Sequence, residues 1–474
     1  MHIMNTSDVI HNSGIEFGTS GARGLVIDFT HSTTVAFTLA FLIHLKKEFV
    51  FKEVALAIDN RPSSFGIAKF CASAIINMGM TPIYYGVIPT PALACKAMAE
   101  NMPAIMITGS HIPFDRNGMK FYRPDGEITK KDEVEIISTS INFDLSLFKL
   151  PHLTCSPAAK NYYIDRYVRL FPKNFLAGKH IGIYEHSSAG RDIYAELLCM
   201  LGAKVTSFGR SDEFVPIDTE AVSQNDRVLA KIWSQDYELD AIFSTDGDGD
   251  RPLVADETGN WLRGDILGLI SAIELGIEAL SVPISCNTAI ESTGKFTEVY
   301  RTRIGSPYVI EAFQDLSKNH KNIAGFEANG GFLLGSDVSF GGHTISALPT
   351  RDAVLPLLML FSATKTSCIS SLVRALPERY TFSDRIKNFG RSKSDILLNY
   401  IRSNAPLFIH ELGMAAKVIN IDVTDGLRLI LDNSDIIHLR PSGNAPELRC
   451  YAESDAVWKA EYLVTSVLKF LSEK

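Results

Sequence analysis

At 474 residues the chain is about three times the ~150 residues of an ordinary domain, so several cores are expected. Hydrophobic residues make up 46% and charged residues 21%, with 33 Gly and 20 Pro spread along the chain, which excludes disordered and collagen-like classes. With 46 basic against 54 acidic residues the net charge is −8, which argues against a general polyanion-binding surface and against nucleic acid as a partner, while leaving room for a few Arg and Lys in one anion pocket.

The first residues, MHIMNTSDVIHNSG, lack a basic region leading into an apolar core, so no signal peptide is expected. Val35 to Leu45 is the longest strongly apolar stretch. It falls short of the ~20 residues needed to cross a bilayer, so it reads as a buried helix and no membrane association is expected. A theme of β-rich run, Gly-containing loop, amphipathic helix and β-rich run then recurs. Val54–Asp59, a helix near Ser64–Gly79, Pro82–Tyr85 and Pro103–Ile107 form its first round. His180–Tyr184, a helix at Arg191–Leu201 and Asp240–Ser244 form the second. The third comprises Val282–Ser285, Thr297–Arg301, a helix at Tyr308–Ser317 and Ile323–Phe326. Such alternation predicts α/β layers with parallel or mixed sheets. After about residue 370 short strands at Val418–Val423, Leu427–Asp432, Ile436–Leu439 and Leu448–Ala452, with a turn at Asp425-Gly426 and a closing helix at Ala456–Leu471, predict an α+β unit. The expected division is 1–150, 151–258, 259–370 and 371–474. Seven scattered Cys with no CxxC pair suit reduced thiols and a cytoplasmic setting.

Thr108-Gly109-Ser110-His111-Ile112-Pro113 follows a β-rich run, which puts Ser110 where α/β sheets place their ligands. A plain Gly-Ser turn is the competing reading. A Ser–His–Asp hydrolase is disfavoured, because Ile112 stands where the nucleophile elbow needs Gly. Asn117-Gly118 reads as a turn, and Lys120 as a basic residue able to handle a proton or an oxyanion. In Asp246-Gly247-Asp248-Gly249-Asp250-Arg251, carboxylates alternate with glycines that let the backbone curl until the three converge, as hard divalent cations require. An EF-hand competes, with Glu257 at its twelfth position, but Arg251 replaces the Gly at its sixth and a strand precedes it. Three carboxylates leave coordination positions for phosphate and water, which suits Mg²⁺.

Arg440-Pro441-Ser442-Gly443-Asn444-Ala445-Pro446 and Arg449 offer guanidinium, hydroxyl, amide and free backbone N–H groups, a set suited to a phosphate dianion or simply to a β-turn. No P-loop spacing is present, so a nucleoside triphosphate is not implied. Gly18–Gly24 exposes Arg23 on a flexible loop. Gly325–Gly331 adds Glu327 and Asn329, both good partners for sugar hydroxyls.

Taken together these segments resemble the α-D-phosphohexomutase superfamily, the phosphomannomutases and phosphoglucomutases, over nearly the whole chain and in the right order. Gly18–Gly24 is similar to its opening F-G-T-S-G-x-R-G, and Thr108–Pro113 with Asn117, Gly118 and Lys120 to its T-A-S-H-N-P…N-G-x-K loop. Asp246–Arg251 is identical to its metal loop D-G-D-G-D-R. Glu327 falls on the acid of its sugar loop G-E-x-S-G-H, and Arg440–Pro446 on its phosphate loop R-x-S-G-T-E-P. Thr302, Arg303 and Gly305 resemble a further loop, T-x-V-G-H, without its His. The sequence departs from the family at Gly109, Ile112, Asn329, Gly331, Asn444 and Ala445.

The resemblance implies four units around one cleft and reversible phosphoryl transfer between the 6- and 1-oxygens of a hexose phosphate. It implies Ser110 as phosphoserine, a hexose 1,6-bisphosphate intermediate or activator, and Mg²⁺ on Asp246, Asp248, Asp250 and an oxygen of the Ser110 phosphate. Arg23 and Arg251 would stabilise charge, and His111 and Lys120 are the acid/base candidates. Thr302, Arg303, Gly305, Glu327, Asn329, Arg440, Ser442, Gly443, Asn444 and Arg449 would hold the substrate. Phosphomannomutase is the expected activity, with phosphoglucomutase, phosphoglucosamine mutase and a non-catalytic sugar-phosphate-binding protein as alternatives.

Overall fold

The computed structural model describes residues 3–18, 21–365, 367–442 and 447–473. Three of its sheets repeat one topology. In the first, Glu53–Ile58 lies between the parallel strands Thr81–Val87 and Ala104–Ile107, and Arg116–Arg123 returns antiparallel beside the last. In the second, His180–Tyr184 lies between Lys204–Phe208 and Ala241–Thr245, with Pro252–Ala255 as the antiparallel return. The third places Ala279–Pro283 between Glu298–Thr302 and Ile323–Phe326, with Phe332–Leu334 returning and Leu348–Asp352 added outside it. The expected class, related α/β units with mixed sheets followed by an α+β unit, is therefore the observed one.

The inner strands are continuous apolar runs because helices cover both of their faces. Ala104–Ile107 and Ala241–Thr245 are buried at every position. Helix ends are fixed by short-range chemistry. The Thr129 hydroxyl and the Asp132 carboxylate cap Lys130–Ser138 reciprocally, and the Ser223 side chain accepts from Asp226 N to start Gln224–Tyr237. One apolar core runs through all three sheets, from Ala55 and Met106 through Tyr167 and Phe243 to Phe326 and Met359. Moving one site loop relative to another therefore disturbs shared packing.

The last unit is an antiparallel sheet in the order Tyr380–Lys387, Glu447–Ser454, Ile436–Pro441, Leu427–Leu431, Val418–Asp422. Helices Arg391–Ser403, Ala405–Glu411 and Val457–Ser472 accompany it, and Phe408, Ile437, Leu448 and Val464 lie in its own core. The stretch Val35–Leu45 lies in the buried helix His31–Leu45. Among the described residues no helix is long and apolar enough to cross a membrane, and all seven cysteines are unpaired.

One expectation is corrected. Asn117-Gly118 is no turn but lies inside the strand Arg116–Arg123, hydrogen-bonded into the sheet between Ala22–Leu25 and Ala104–Ile107. Pairing on both edges overrides the local turn preference. Asn117 is buried, its amide donating to Ser63 Oγ at 2.8 Å and Ser64 Oγ at 3.0 Å.

Candidate active site

The repeated topology puts three equivalent reversals, after Ile107, Thr245 and Phe326, at the carboxyl ends of the third parallel strands. Open α/β sheets gather ligands there. The first reversal carries Ser110, which is fully buried with φ of 54°. A non-glycine residue in this left-handed region is strained and must be held by its surroundings. Arg61 holds it. One guanidinium nitrogen donates to the carbonyls of Pro113 at 2.6 Å and Arg116 at 2.9 Å, and the other to those of Ser110 at 3.1 Å and Ile112 at 2.5 Å. Asp59 steadies Arg61 through a 3.1 Å ion pair and also accepts from Thr108 Oγ1 at 2.8 Å. A Cβ on Gly109 would sit 2.6 Å from Arg61 Cζ, so glycine there is the counterpart of this clamp.

Beneath Ser110 lies the second reversal. Ser110 Oγ donates to Asp246 Oδ2 at 2.6 Å. The three carboxylates Asp246, Asp248 and Asp250 are buried, and one oxygen from each lies within 4.8 Å of the others. Strands on both sides, Ala241–Thr245 and Pro252–Ala255, rule out the EF-hand reading, and Glu257 points away, accepting from Ser370 N. Gly249, at φ of +72°, allows the tight curl that presents the carboxylates together. Lys120 Nζ bridges Asp248 Oδ2 at 2.5 Å and Asp250 Oδ2 at 2.6 Å, and Thr90 Oγ1 donates to Asp248 Oδ2 at 2.6 Å.

Burial, with repulsion from Asp248 and Asp250, pushes the Asp246 carboxyl well up. Burial opposes ionisation of Asp248 too, but Lys120 outweighs it and holds that carboxyl below the usual range. Asp248 Oδ1 and Asp250 Oδ1 are buried and accept no hydrogen bond among the described residues, with Arg251 Nε 3.8 Å from Asp250 Oδ1. Converging carboxylate oxygens with unfilled valences fit a hard divalent cation.

Around this centre the positive groups accumulate. Arg251 Nη1 donates to His111 Nδ1 at 3.0 Å, and that nitrogen lies 3.4 Å from Ser110 Oγ. Burial, then the charges of Arg251, Arg23 and Arg449, drive the His111 imidazole well below its ordinary pKa, so it is neutral at neutral pH. Arg23 is not exposed on a loop as expected but half-buried on the strand Ala22–Leu25, where pairing with Arg116–Arg123 fixes it; burial and Arg251 push it down to about 10.

The third reversal carries Glu327, which is 3% exposed. It accepts from Arg351 Nη1 at 3.0 Å, and Arg351 in turn reaches Asp250 at 3.0 Å. The Asn329 side chain shapes the loop itself, accepting from Gly331 N at 3.0 Å. Thr302 is buried and donates to Arg303 O at 2.8 Å; Arg303 is exposed, its guanidinium 5.8 Å from the Tyr308 ring centre; Gly305 caps the helix Ser306–Leu316.

Arg440 and Arg449 form a second group. They sit directly opposite one another on adjacent antiparallel strands, with Arg385 opposite Arg449 on the next. Like charges so placed repel unless anions lie among them; Glu447 stands 3.8 Å from both Arg385 and Arg449, and Arg449 Nε is buried without a hydrogen bond. Asp425 faces Arg440 Nε at 2.9 Å and also accepts from Ile304 N at 2.9 Å, tying this group to the Thr302–Gly305 loop. Ser442 N donates to Glu447 O at 2.8 Å. Gly443 and Asn444, like Thr19 and Ser20 of the opening loop, lie outside the described residues. Among the described residues no hydrogen bond or ion pair joins Arg440 or Arg449 to Ser110, Lys120 or the Asp-rich loop. Sequence reasoning missed Arg61, Thr90, Arg351 and Arg385, which belong to no motif; only the Asp59…Arg61 spacing before a helix hinted at a structured turn.

Two stretches of the chain match family models. Residues 14–145 match phosphoglucomutase/phosphomannomutase alpha/beta/alpha domain I, and residues 266–380 match domain III of the same description. The chain is 57% identical to a phosphomannomutase from Salmonella muenchen over 474 residues, which is 100% of this chain and 99% of that one. A phosphomannomutase from Sinorhizobium fredii is 41% identical, covering 97% and 99% respectively. Among solved structures, a phosphoglucomutase/phosphomannomutase family protein from Burkholderia thailandensis superposes with a TM-score of 0.74 at 16% identity, over 98% of each chain.

Proposed function

Because this chain belongs to the phosphoglucomutase/phosphomannomutase family of α-D-phosphohexomutases and is an isomerase, we propose that it interconverts mannose 6-phosphate and mannose 1-phosphate through a phosphorylated Ser110 and mannose 1,6-bisphosphate. The observation that carries this reading is the 2.6 Å contact of Ser110 Oγ with Asp246, beside two further buried carboxylates. The 57% and 41% identities to phosphomannomutases support the mannose substrate. We take the chain as four units, 1–150, 151–258, 259–370 and 371–474, carrying in turn the serine, carboxylate, sugar and phosphate loops.

In the forward direction the Oγ–P bond of phosphorylated Ser110 breaks as an O–P bond forms to the free sugar hydroxyl. The hydroxyl proton passes to the enzyme, and the serine oxygen keeps the electron pair of the broken bond. The bisphosphate then turns over, and its other phosphoryl group returns to Ser110. His111, held neutral beside Arg251 with Nδ1 3.4 Å from Ser110 Oγ, and Lys120 Nζ are the candidates for moving these protons. Arg23 and Arg251 surround the transferring group with positive charge.

Asp246, Asp248 and Asp250 would hold Mg²⁺, whose contribution is to neutralise charge on the phosphoryl oxygens. Arg440, Ser442, Gly443, Asn444 and Arg449 would bind whichever phosphate is not reacting, since three arginines meet on adjacent strands and the buried Arg449 Nε makes no hydrogen bond. Glu327, Asn329 and the Thr302–Gly305 loop would line the sugar between the two phosphate positions. Initial rates measured side by side with the 1-phosphates of mannose, glucose and glucosamine test the proposal. Mannose 1-phosphate should give the highest kcat/KM, and a preference for either other sugar would overturn the substrate assignment.

A further inference from the structure

Arg351 belongs to none of the motif loops, yet it is 1% exposed and among the largest fully buried side chains. Its strand, Leu348–Asp352, is well anchored. Thr350 Oγ1 donates to Glu127 Oε1 at 2.7 Å, and Asp352 accepts from the hydroxyls of Tyr163 and Tyr167. From there the guanidinium reaches two loops at once. Nε and Nη2 both lie 3.0 Å from Asp250 Oδ2, and Nη1 lies 3.0 Å from Glu327 Oε2 and 3.4 Å from Ser306 Oγ.

The sugar loop is built around this side chain. A Cβ on Gly331 would lie 2.4 Å from Arg351 Cδ, 2.6 Å from Cγ and 3.1 Å from Cβ, with nothing else as near. The backbone of Gly331 is outside the left-handed region, so what first excludes a side chain there is the Arg351 stem and not conformation. The stem cannot swing aside, because its guanidinium is tied to two carboxylates. Gly331 is the position at which the resembled sugar loop carries His.

We propose that Arg351 is a positioning residue that links the Asp-rich loop to the sugar loop, setting Glu327 for the substrate and balancing the charge of Asp250. This rests on the mutase reading above, in which Asp250 faces a divalent cation and Glu327 faces the sugar. Arg351 holds Asp250 through Oδ2 and leaves Oδ1 to a cation, so its positive charge opposes a divalent ion at the same carboxylate; its removal should strengthen divalent binding while it weakens sugar binding. A merely structural role would weaken both.

The test compares wild type with Arg351→Met, Gly331→His, Arg351→Gly and the double variant Arg351→Gly/Gly331→His. Readouts are Mn²⁺ titration calorimetry, melting temperature, and kcat and KM for mannose 1-phosphate. Arg351→Met should bind Mn²⁺ at least about threefold more tightly while its KM rises about tenfold. Gly331→His should cost kcat/KM and melting temperature heavily in the parent, and at least about tenfold less in kcat/KM when Arg351→Gly is present. Weaker or unchanged Mn²⁺ binding in Arg351→Met, or equal damage by Gly331→His in both backgrounds, would overturn the proposal. A wild type without mutase activity would instead sink the functional reading, and the Mn²⁺ titration and melting cycle would still decide the role of Arg351.

Discussion

Ser110 and Asp246 stand 136 residues apart in sequence and 2.6 Å apart in space, the hydroxyl of one donating to the carboxylate of the other. The contact exists because the same strand-reversal geometry is used in two adjoining sheets, so that each sheet delivers one loop to a common point. A phosphoryl group on that hydroxyl would lie next to three carboxylates, and a cation between them would make such a neighbourhood tolerable.

Metal dependence follows. Chelation or Asp248→Asn should stop turnover, and added Mg²⁺ should restore only the chelated wild type. The same cation should raise the wild-type melting temperature, by an amount equivalent to about 2.7 kcal/mol at a hundredfold excess over Kd, and leave Asp248→Asn unmoved. Undiminished activity in excess chelator would show that the Asp-rich loop is structural.

The opposed arginines make a prediction in which function and stability part company. Arg449→Gln removes half of a like-charge cross-strand pair, so the melting temperature should hold or rise. Losing a charge-assisted contact to phosphate, worth roughly 1.5–3 kcal/mol, should lower kcat/KM by about one to two orders of magnitude. Initial rates and a melting curve check both signs, and a variant that is less stable yet fully active would remove Arg449 from the site.

Acid stability should carry the mark of His438, which burial pushes down to about 4 from its ordinary 6.5. Between those values the unfolded chain takes up a proton that the folded chain refuses, so stability is intact above pH 6.5, falls as the pH drops towards 4, and stays lost below it. The loss from this group alone is about 3 kcal/mol. His438→Gln keeps a donor for Asp425 O, which the imidazole meets at 2.6 Å, and removes the titration. Its melting temperature should therefore fall less steeply than that of wild type from pH 7 to 4; parallel curves would assign the acid sensitivity elsewhere.

What could be read in the sequence was whatever depends on neighbours along the chain. Asp246–Asp250 alternate with glycines, so their convergence is local, and Ser110 follows a β-rich apolar run that reads as a strand, as observed at Ala104–Ile107. Arg351 lies in Pro349-Thr350-Arg351-Asp352, where nothing local distinguishes a solvated charge from the hub of two loops, because its partners Asp250 and Glu327 are remote in sequence. The helix Val354–Thr364 escaped for a different reason: it is buried almost all round, so no amphipathic period marks it. Asn117-Gly118 misled because turn preference is weaker than pairing with two neighbouring strands. Arg61 was passed over because its four carbonyl partners are backbone atoms, which no residue pattern encodes.

The central claim is covalent: Ser110 carries the phosphoryl group between the two ends of the sugar. Intact-protein mass spectrometry of the purified enzyme, before and after incubation with mannose 1,6-bisphosphate, tests it most directly when paired with mannose 1-phosphate turnover. The account predicts a single phosphate adduct on wild type, mapped to Ser110, with the adduct and nearly all activity gone in Ser110→Ala. A fully active Ser110→Ala, or an adduct that persists in it, would contradict the account.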